Sequence, residues 1–118
     1  MKIGCPCGGV IVDGTDAHPN KAHMVADQDW FRFWEAVDAA IEQPCSSPKE
    51  AEARCIHLRE LNVARFMWQC EQCGMLFMET HDHELAMFRP EDKAVARGIL
   101  AATGPCGEID EVTGPGAC

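Results

Sequence analysis

The chain has 118 residues and a formal net charge of −9; 47% of its residues are hydrophobic and 25% are charged. This size and composition indicate one soluble globular domain and exclude a disordered chain. No apolar run approaches the roughly 20 residues that a membrane helix needs, and the N-terminal sequence lacks the apolar core of a secretory signal. We therefore expect a cytoplasmic protein without a membrane partner.

The negative net charge also bears on the class of partner. It repels phosphate backbones, and binding to nucleic acid normally requires neutralisation of phosphates by Lys and Arg. Arg54, Arg59 and Arg65 are the candidates for a local basic patch, and Glu52 and Glu60 dilute it. Nucleic acid is therefore disfavoured as a partner, whereas a basic protein would be attracted to such a surface.

The first elements are predicted to be a hairpin and a loop. Residues 1–13 hold the β-branched run VIV, and Gly8-Gly9 supply a turn, which predicts a β-hairpin. Residues 13–27 are polar and rich in turn-forming residues, which predicts a loop.

A first helix is predicted over residues 28–42. Asp27 or Asp29 is expected to cap its first turn, and Gln43-Pro44 is expected to end it. One apolar stripe at helical spacing is expected to be core, and its members are Trp30, Phe33, Trp34, Val37 and Ile41. Phe31 points off this stripe and could mark an exposed contact surface, although a core position is the simpler interpretation because the sheet needs cover.

A second helix is predicted from Ser47-Pro48 to about Asn62, with Ser47 as the N-cap and Glu50 bonding back to it. The short connection to the first helix predicts a helical hairpin. The buried stripe of the second helix is expected to consist of Ala51, Cys55, Leu58 and Leu61.

The C-terminal half returns to strand character. Residues 63–70 predict a strand, and residues 74–90 predict a strand, a polar turn and a second strand. A third helix is predicted from Pro90 to about Gly104. Residues 105–118 are rich in Gly and Pro without an apolar period, and they are expected to form a flexible tail. The predicted domain therefore covers residues 1–104.

Eight cysteines occur, and four of them lie in two short motifs, CPCGG at residues 5–9 and CEQCGMLF at 70–77. Paired cysteines at such short spacing more often bind metal than form disulfides in a reducing cytosol. The two motifs resemble the two tight turns of zinc-ribbon proteins, each at the tip of a β-hairpin. The resemblance covers about residues 3–12 and 65–88.

The resemblance implies a tetrahedral Cys₄ site with Cys5, Cys7, Cys70 and Cys73 as the ligands of Zn²⁺. It also implies an α+β fold in which a small antiparallel sheet of zinc-ribbon type carries the metal. The predicted helical pair is inserted in this fold, and a C-terminal helix follows. Four soft ligands in a closed site suit zinc in a structural role, and iron is the alternative metal. Free thiols or a redox CxxC remain alternatives to the metal site.

The stretch TDAHPNKAHMVADQDWF is also similar to small uncharacterised bacterial proteins with the same pair of cysteine turns, a similarity that implies no function.

Histidines offer a second candidate site. On a strand, His81 and His83 would share one face at about 7 Å, a separation that a metal can bridge. His18 and His23 could join them. A solvated turn and ordinary loop polarity are the simpler interpretations of these four residues.

The remaining cysteines, Cys45, Cys55, Cys106 and Cys118, show no ligand-like spacing. Cys55 is expected to be a small core residue, and Cys106 and Cys118 are expected to be exposed thiols in the tail.

Three functions remain open from the sequence. The first is a non-enzymatic protein-interaction or regulatory module, of inhibitor or immunity type, with a structural zinc site and a protein partner. The alternative is a metal-dependent enzyme with an open site near His81 and His83. A nucleic-acid-binding ribbon is the third, and the charge disfavours it. The sequence contains no nucleophile elbow, phosphate loop or HExxH pattern, which makes an enzyme the less favoured interpretation.

Overall fold

The computed structural model describes residues 1–103 and has an α+β fold, as predicted. None of the helices in these residues is long and apolar enough to cross a membrane. In chain order the elements are β1 (Lys2–Gly4), β2 (Val10–Val12), β3 (Lys21–Val25), α1 (Asp27–Glu42), α2 (Pro48–Glu60), β4 (Ala64–Gln69), β5 (Leu76–Glu79), β6 (Leu85–Phe88) and α3 (Lys93–Ala96).

The strands form two antiparallel groups. β1 and β2 make a two-stranded sheet, and the other strands make a sheet with the order β3-β4-β5-β6. The chain divides into two compact units. Of the described residues, 1–22 and 66–103 belong to the first, here called the cysteine unit, and 23–65 form the second, the hairpin unit.

The predicted N-terminal hairpin is confirmed. β1 and β2 pair with Ile3 opposite Ile11, and both side chains are 5% exposed while their strand neighbours are exposed. This alternation follows from the period of two along a strand, which sends successive side chains to opposite faces. One face of the hairpin therefore contributes to the core of the cysteine unit.

The other half of that core comes from β4 and β5, whose predicted strand character is also confirmed. Trp68 lies opposite Phe77 in the antiparallel pair, and each is 2% exposed. The indole N–H of Trp68 donates to Asp13 Oδ2 at 3.0 Å, and Lys21 Nζ lies 2.8 Å from the same oxygen. The hydrogen bond from Lys21, together with that from Trp68, lowers the pKa of Asp13. Residues of both sheets make up the core: Ile3, Cys5, Ile11, Trp68, Cys70, Met75 and Phe77.

The prediction of a loop over residues 13–27 is wrong for Lys21–Val25, which form β3. Its sequence KAHMV alternates polar and apolar residues over only four positions and follows the turn-rich stretch DGTDAHPN, so the local pattern gives a weak strand signal. The strand depends instead on backbone pairing at the edge of the sheet, and just before it Gln69 N–H donates to Asn20 O at 2.9 Å.

In the hairpin unit, the predicted pair of contacting helices is confirmed. Ser47 caps α2 by accepting from the backbone N–H of Glu50 at 3.2 Å, and Gln43 follows the last residue of α1 as predicted. Two details differ. Ala26, not Asp27 or Asp29, is the N-cap of α1 and makes no side-chain cap, and the Glu50 carboxylate accepts from Ser46 rather than from Ser47.

The side chain of Arg54 links the two helices of this hairpin through hydrogen bonds. Arg54 of α2 donates to three carbonyl oxygens at the end of α1 and just after it, at 3.2 Å to Ala40, 2.6 Å to Gln43 and 3.0 Å to Pro44. Glu50, one turn earlier in α2, accepts from the same guanidinium at 3.1 Å. The last carbonyls of a helix lack intrahelical donors, so the Arg54 guanidinium, called the Arg54 fork below, supplies hydrogen-bond donors that α1 itself cannot supply.

The prediction that both helices bury an apolar stripe is wrong, because neither helix contains a buried residue. In α1, Trp30 is 46% exposed, Trp34 45% and Ile41 75%. In α2, Cys55 is exposed and Leu61 is 38% exposed. Two helices that pack on each other cover only one narrow side of each, so most of the stripe stays open. Phe31 is 62% exposed, which agrees with the alternative of an exposed contact residue and not with the simpler prediction of a core position.

The third helix is much shorter than predicted. α3 contains four residues, begins after the N-cap Asp92 and ends at Ala96. Arg97 leaves helical geometry with φ −60° and ψ 119°, and Gly98 follows with φ 65°. Left-handed backbone at a glycine is a common helix stop. The predicted tail at residues 105–118 lies outside the described residues.

The Arg54 fork predicts a specific loss of stability. Arg54→Lys replaces a planar group that serves three carbonyls with one ammonium, and should destabilise the protein by about 1.5 kcal/mol. Urea unfolding followed by circular dichroism measures this change. Arg32→Lys is the matched control, because Arg32 lies on α1 with its side chain 76% exposed. Equal losses in both variants would contradict the role given to the fork.

Candidate metal centre

Two short turns carry the cysteines at the ends of paired strands. The first, residues 5–9, connects β1 and β2; it is closed by Cys5 N–H donating to Gly9 O at 2.8 Å and Gly8 N–H donating to Cys5 O at 2.9 Å. The second, residues 70–75, connects β4 and β5; here Cys70 N–H donates to Met75 O and Gly74 N–H to Cys70 O, both at 2.9 Å. Equivalent pairs of hydrogen bonds close the two turns, and the first turn is one residue shorter. The CxC spacing of the first turn therefore corresponds to the CxxC spacing of the second.

Each turn contains a glycine with left-handed backbone. Gly8 has φ 96° and Gly74 has φ 79°, conformations that cost side-chain-bearing residues steric strain. Gly9 serves a different purpose, since a Cβ there would lie 3.2 Å from Cys70 Sγ. The glycines of the two motifs thus let the backbone reverse and let the first turn approach the sulfur of the second.

The turns aim backbone N–H groups at every one of the four sulfurs. Gly9 N–H donates to Cys7 Sγ at 3.4 Å. The backbone at Cys7 donates to the thiol of Cys5, that at Gln72 to Cys70, and that at Met75 to Cys73. Each of these donors is two residues after its cysteine, and Cys70 also has a backbone hydrogen bond from Cys73, three residues on, whose effect is the larger. Donors arranged in this way favour the thiolate, the form of cysteine that binds metal.

The two turns bring their thiols together, so the four predicted site residues are adjacent. Cys5 Sγ lies 3.4 Å from Cys73 Sγ, and Cys7 Sγ lies 3.5 Å from Cys70 Sγ, although these partners are 68 and 63 positions apart in the chain. All four Sγ atoms lie within 4.8 Å of one another. A tetrahedron with zinc–sulfur bonds of about 2.3 Å has edges of about 3.8 Å. The cluster therefore has the size and the donor set to hold a metal ion.

A disulfide does not account for these contacts. A sulfur–sulfur bond is about 2.05 Å long, far shorter than the closest pair here, and all four cysteines are free thiols. Nor does the second turn offer the helix N-terminus that activates the first cysteine of a redox CxxC, because residues 70–75 are a turn between strands.

The electrostatics differ from one thiol to the next. Burial raises the pKa of Cys5 to about 12, and burial also raises the pKa of Cys70. The backbone N–H of Met75 lowers the pKa of Cys73 to about 7. Two thiols thus resist ionisation on burial, and one ionises readily. A cation among the sulfurs would remove this conflict, because its charge favours the thiolate at all four positions.

The inner side of the cluster belongs to the core. Cys5 is 7% exposed and Cys70 2%, while Cys7 is exposed and Cys73 half-buried. Beside the second turn lies a cavity of about 470 Å³, to which the cations Lys93 and Arg97 contribute together with Cys70 and Cys73.

The structure also identifies a buried polar residue that the sequence analysis missed. Gln69 is 2% exposed, and its Nε2 donates to Gly74 O at 3.2 Å and Ala96 O at 2.6 Å. It joins the second cysteine turn to α3. A polar residue between buried Trp68 and Cys70 is the only local signal, and its partners lie elsewhere in the chain.

The histidines do not form the second site considered above. His81 and His83 are exposed in the turn between β5 and β6 rather than on a strand, and His83 Nδ1 lies 3.5 Å from Glu79 Oε2. His18 uses both ring nitrogens in backbone contacts, with Nε2 2.9 Å from Val12 O and Nδ1 accepting from Asn20 N–H at 3.0 Å. Among residues 1–103, the four clustered cysteines are the sole group of His, Cys, Asp or Glu with metal-ligand spacing.

The other cysteines are not part of the cluster. Cys45 and Cys55 are exposed free thiols, so the prediction of Cys55 as a core residue is wrong. The hairpin unit that carries Cys55 has no buried position for it. Cys106 and Cys118 lie outside the described residues.

The fold and the cluster define a small α+β protein with a candidate Cys₄ metal centre. Comparison with family models places it more closely: the chain belongs to the family described as Domain of unknown function (DUF8617), whose model matches residues 1–92. All four clustered cysteines and both helices of the hairpin lie within the matched residues. A search of curated proteins and a search of solved structures each found no match.

The left-handed glycine of the second turn gives a test of this geometry. Gly74→Ala should destabilise the protein by about 1–2 kcal/mol, because alanine is strained at φ 79° and its Cβ would lie 3.2 Å from Pro90 Cγ. Gly14→Ala is the control, since an added Cβ there meets no atom within 4 Å. Thermal unfolding of both variants checks the difference, and a Gly74→Ala protein as stable as the control would contradict the turn geometry.

Proposed function

We propose that this protein binds one zinc ion through Cys5, Cys7, Cys70 and Cys73, that the ion is structural, and that the protein acts by binding another protein. The site would be of zinc-ribbon type. The observation that carries the proposal is the convergence of four free thiols, with their Sγ atoms within 4.8 Å of one another and a backbone N–H directed at each.

A structural role is supported by the number of protein ligands and by the distance in sequence between them. Four protein ligands fill the tetrahedral shell of zinc and leave no position for a substrate or an activated water. The cluster joins residues 68 positions apart, and closing such a loop costs about 4 kcal/mol of chain entropy. Zinc binding in small peptides supplies about 10–16 kcal/mol at neutral pH, which is more than enough to offset that cost.

Zinc is favoured over harder cations because all four donors are thiols, and iron is the competing ion for a Cys₄ set. A zinc ion with four thiolates carries a formal charge of −2. Lys93 and Arg97, which share a cavity with Cys70 and Cys73, are placed to offset part of it. They are among only ten Lys and Arg residues in a chain with 19 Asp and Glu residues.

The interaction role is supported by apolar side chains left open in the hairpin unit. Trp30 and Trp34 are each nearly half exposed, and Phe31 and Ile41 are more exposed still. Large aromatic residues at a surface are typical of protein-binding sites. An enzymatic role has no comparable support, because His81 and His83 are solvent-exposed turn residues and both ring nitrogens of His18 contact the backbone.

One measurement tests both parts of the proposal. Native mass spectrometry of the untagged protein, purified gently from cells that produce it naturally, should give one zinc per chain and a second protein in fixed stoichiometry. Iron in place of zinc would overturn the choice of metal. A chain without metal would overturn the site, and a chain recovered without a second protein would overturn the interaction role.

The structural role predicts that metal and fold are lost together. Cys70→Ser removes a ligand that is 2% exposed, and should release zinc and abolish the cooperative unfolding transition. Cys45→Ser is the matched control because Cys45 is an exposed thiol outside the cluster. Elemental analysis and calorimetry of both proteins provide the readout. A metal-free Cys70→Ser protein that unfolds like the control would refute a structural role.

A further inference from the structure

One face of α1 combines aromatic and acidic side chains. At about 100° per residue, Trp30, Phe31, Trp34 and Ile41 fall within an arc of about 100°. Their exposed fractions run from 45% to 75%. The rings of Trp30 and Trp34 meet edge to face with centroids 5.7 Å apart. This set of four residues is called the aromatic face below.

The acidic residues of α1 are concentrated on and beside the same arc. Four carboxylates lie there, and the cation of the helix, Arg32, lies away from it, where it pairs with Asp29 at 3.5 Å. In the part of the chain that the structure describes, none of the four pairs with a cation. They are Asp27, Glu35, Asp38 and Glu42.

A cavity adjoins this face at the start of α1. It measures about 300 Å³ and lies within the hairpin unit, where apolar side chains line it together with two polar residues. The apolar side chains include Val25, Phe33, Leu58 and Val63, and the polar residues are Arg59 and Asn62. Trp30 belongs both to the cavity and to the aromatic face. A bulky apolar side chain fits a cavity of this size and would anchor a segment lying along α1.

We propose that the aromatic face of α1 binds a basic amphipathic segment of another protein, with one apolar side chain in the adjoining cavity and Lys or Arg side chains over the tryptophans and carboxylates. The four unpaired carboxylates give the charge complementarity, and tryptophan rings attract cations through their faces. This inference rests on the proposed interaction role and specifies the chemistry of its partner.

The charges argue against two other occupants. A second copy of the chain would set the four carboxylates of one face against the four of the other, and like charges across an interface oppose association. Residues 104–118 of this chain contain three acidic residues, Glu108, Asp110 and Glu111, and no Lys or Arg. Neither a second copy of α1 nor this segment carries the positive charge that would complement the carboxylates of this face.

The test uses an amphipathic peptide of leucine and lysine, about 16 residues long to match α1, and the same peptide with glutamate in place of lysine. Both are titrated by calorimetry into full-length protein shown to hold one zinc per chain. The lysine peptide should bind, with an affinity that falls as salt is added, and should shift tryptophan emission to the blue; the glutamate peptide should not bind. Absence of binding by zinc-loaded protein would overturn this inference and leave the metal site standing.

Matched variants locate the binding. Asp38→Lys should weaken the affinity for the lysine peptide about five- to tenfold, and Trp34→Ala about tenfold. The controls, Glu84→Lys and Phe88→Ala, make equivalent changes at exposed positions of the cysteine unit and should leave the affinity within about twofold. Asp38→Lys keeps the test decisive if Trp34→Ala fails to fold. Equal losses in control and face variants would overturn the assignment. So would a dimer in sedimentation velocity that Trp34→Ala dissociates, because the face would then be covered by a second copy.

Discussion

The convergence of two cysteine turns is the constraint on which the cysteine unit depends. Cys5 and Cys73 lie 68 positions apart in the chain, and their sulfurs lie 3.4 Å apart in the fold. The same turns end the strands that supply the core, with Ile3 and Ile11 beside the first turn and Trp68 and Phe77 beside the second. A contact that holds the turns together therefore also holds β1 and β2 against the parts of β4 and β5 that carry Trp68 and Phe77.

The chemistry of the four sulfurs is the reason for proposing a bound metal rather than four free thiols. Burial disfavours ionisation of Cys5 and Cys70, whereas the backbone N–H groups at every sulfur favour it. A cation of suitable size would stabilise all four thiolates. The N–H groups would then donate to charged sulfurs, and the short distances between the sulfurs would suit the coordination sphere of the ion. Around the cluster, Gln69 links the second turn to α3, and Lys93 and Arg97 bring positive charge to the neighbouring cavity.

The hairpin unit follows a different principle. Its helices are held by a seam of half-buried side chains and by the Arg54 fork, and neither helix buries a residue fully. Apolar surface that stays in contact with water represents a free-energy cost that a partner would remove. The metal centre and the aromatic face of α1 are therefore proposed to have separate tasks, the one in stability and the other in recognition.

The sequence by itself determined the elements that depend on local rules. The spacing of cysteines and glycines predicted both turns, and the Ser47-Pro48 signal predicted the start of α2, because capping and turn geometry act over a few residues. Only the tertiary structure decided the rest. Contacts between distant parts of the chain bring the four sulfurs into one cluster and make β3 a strand. The apolar stripe of α1 stays largely exposed because such contacts do not cover it. Helical periodicity shows which side chains share a face, and packing determines whether anything covers that face.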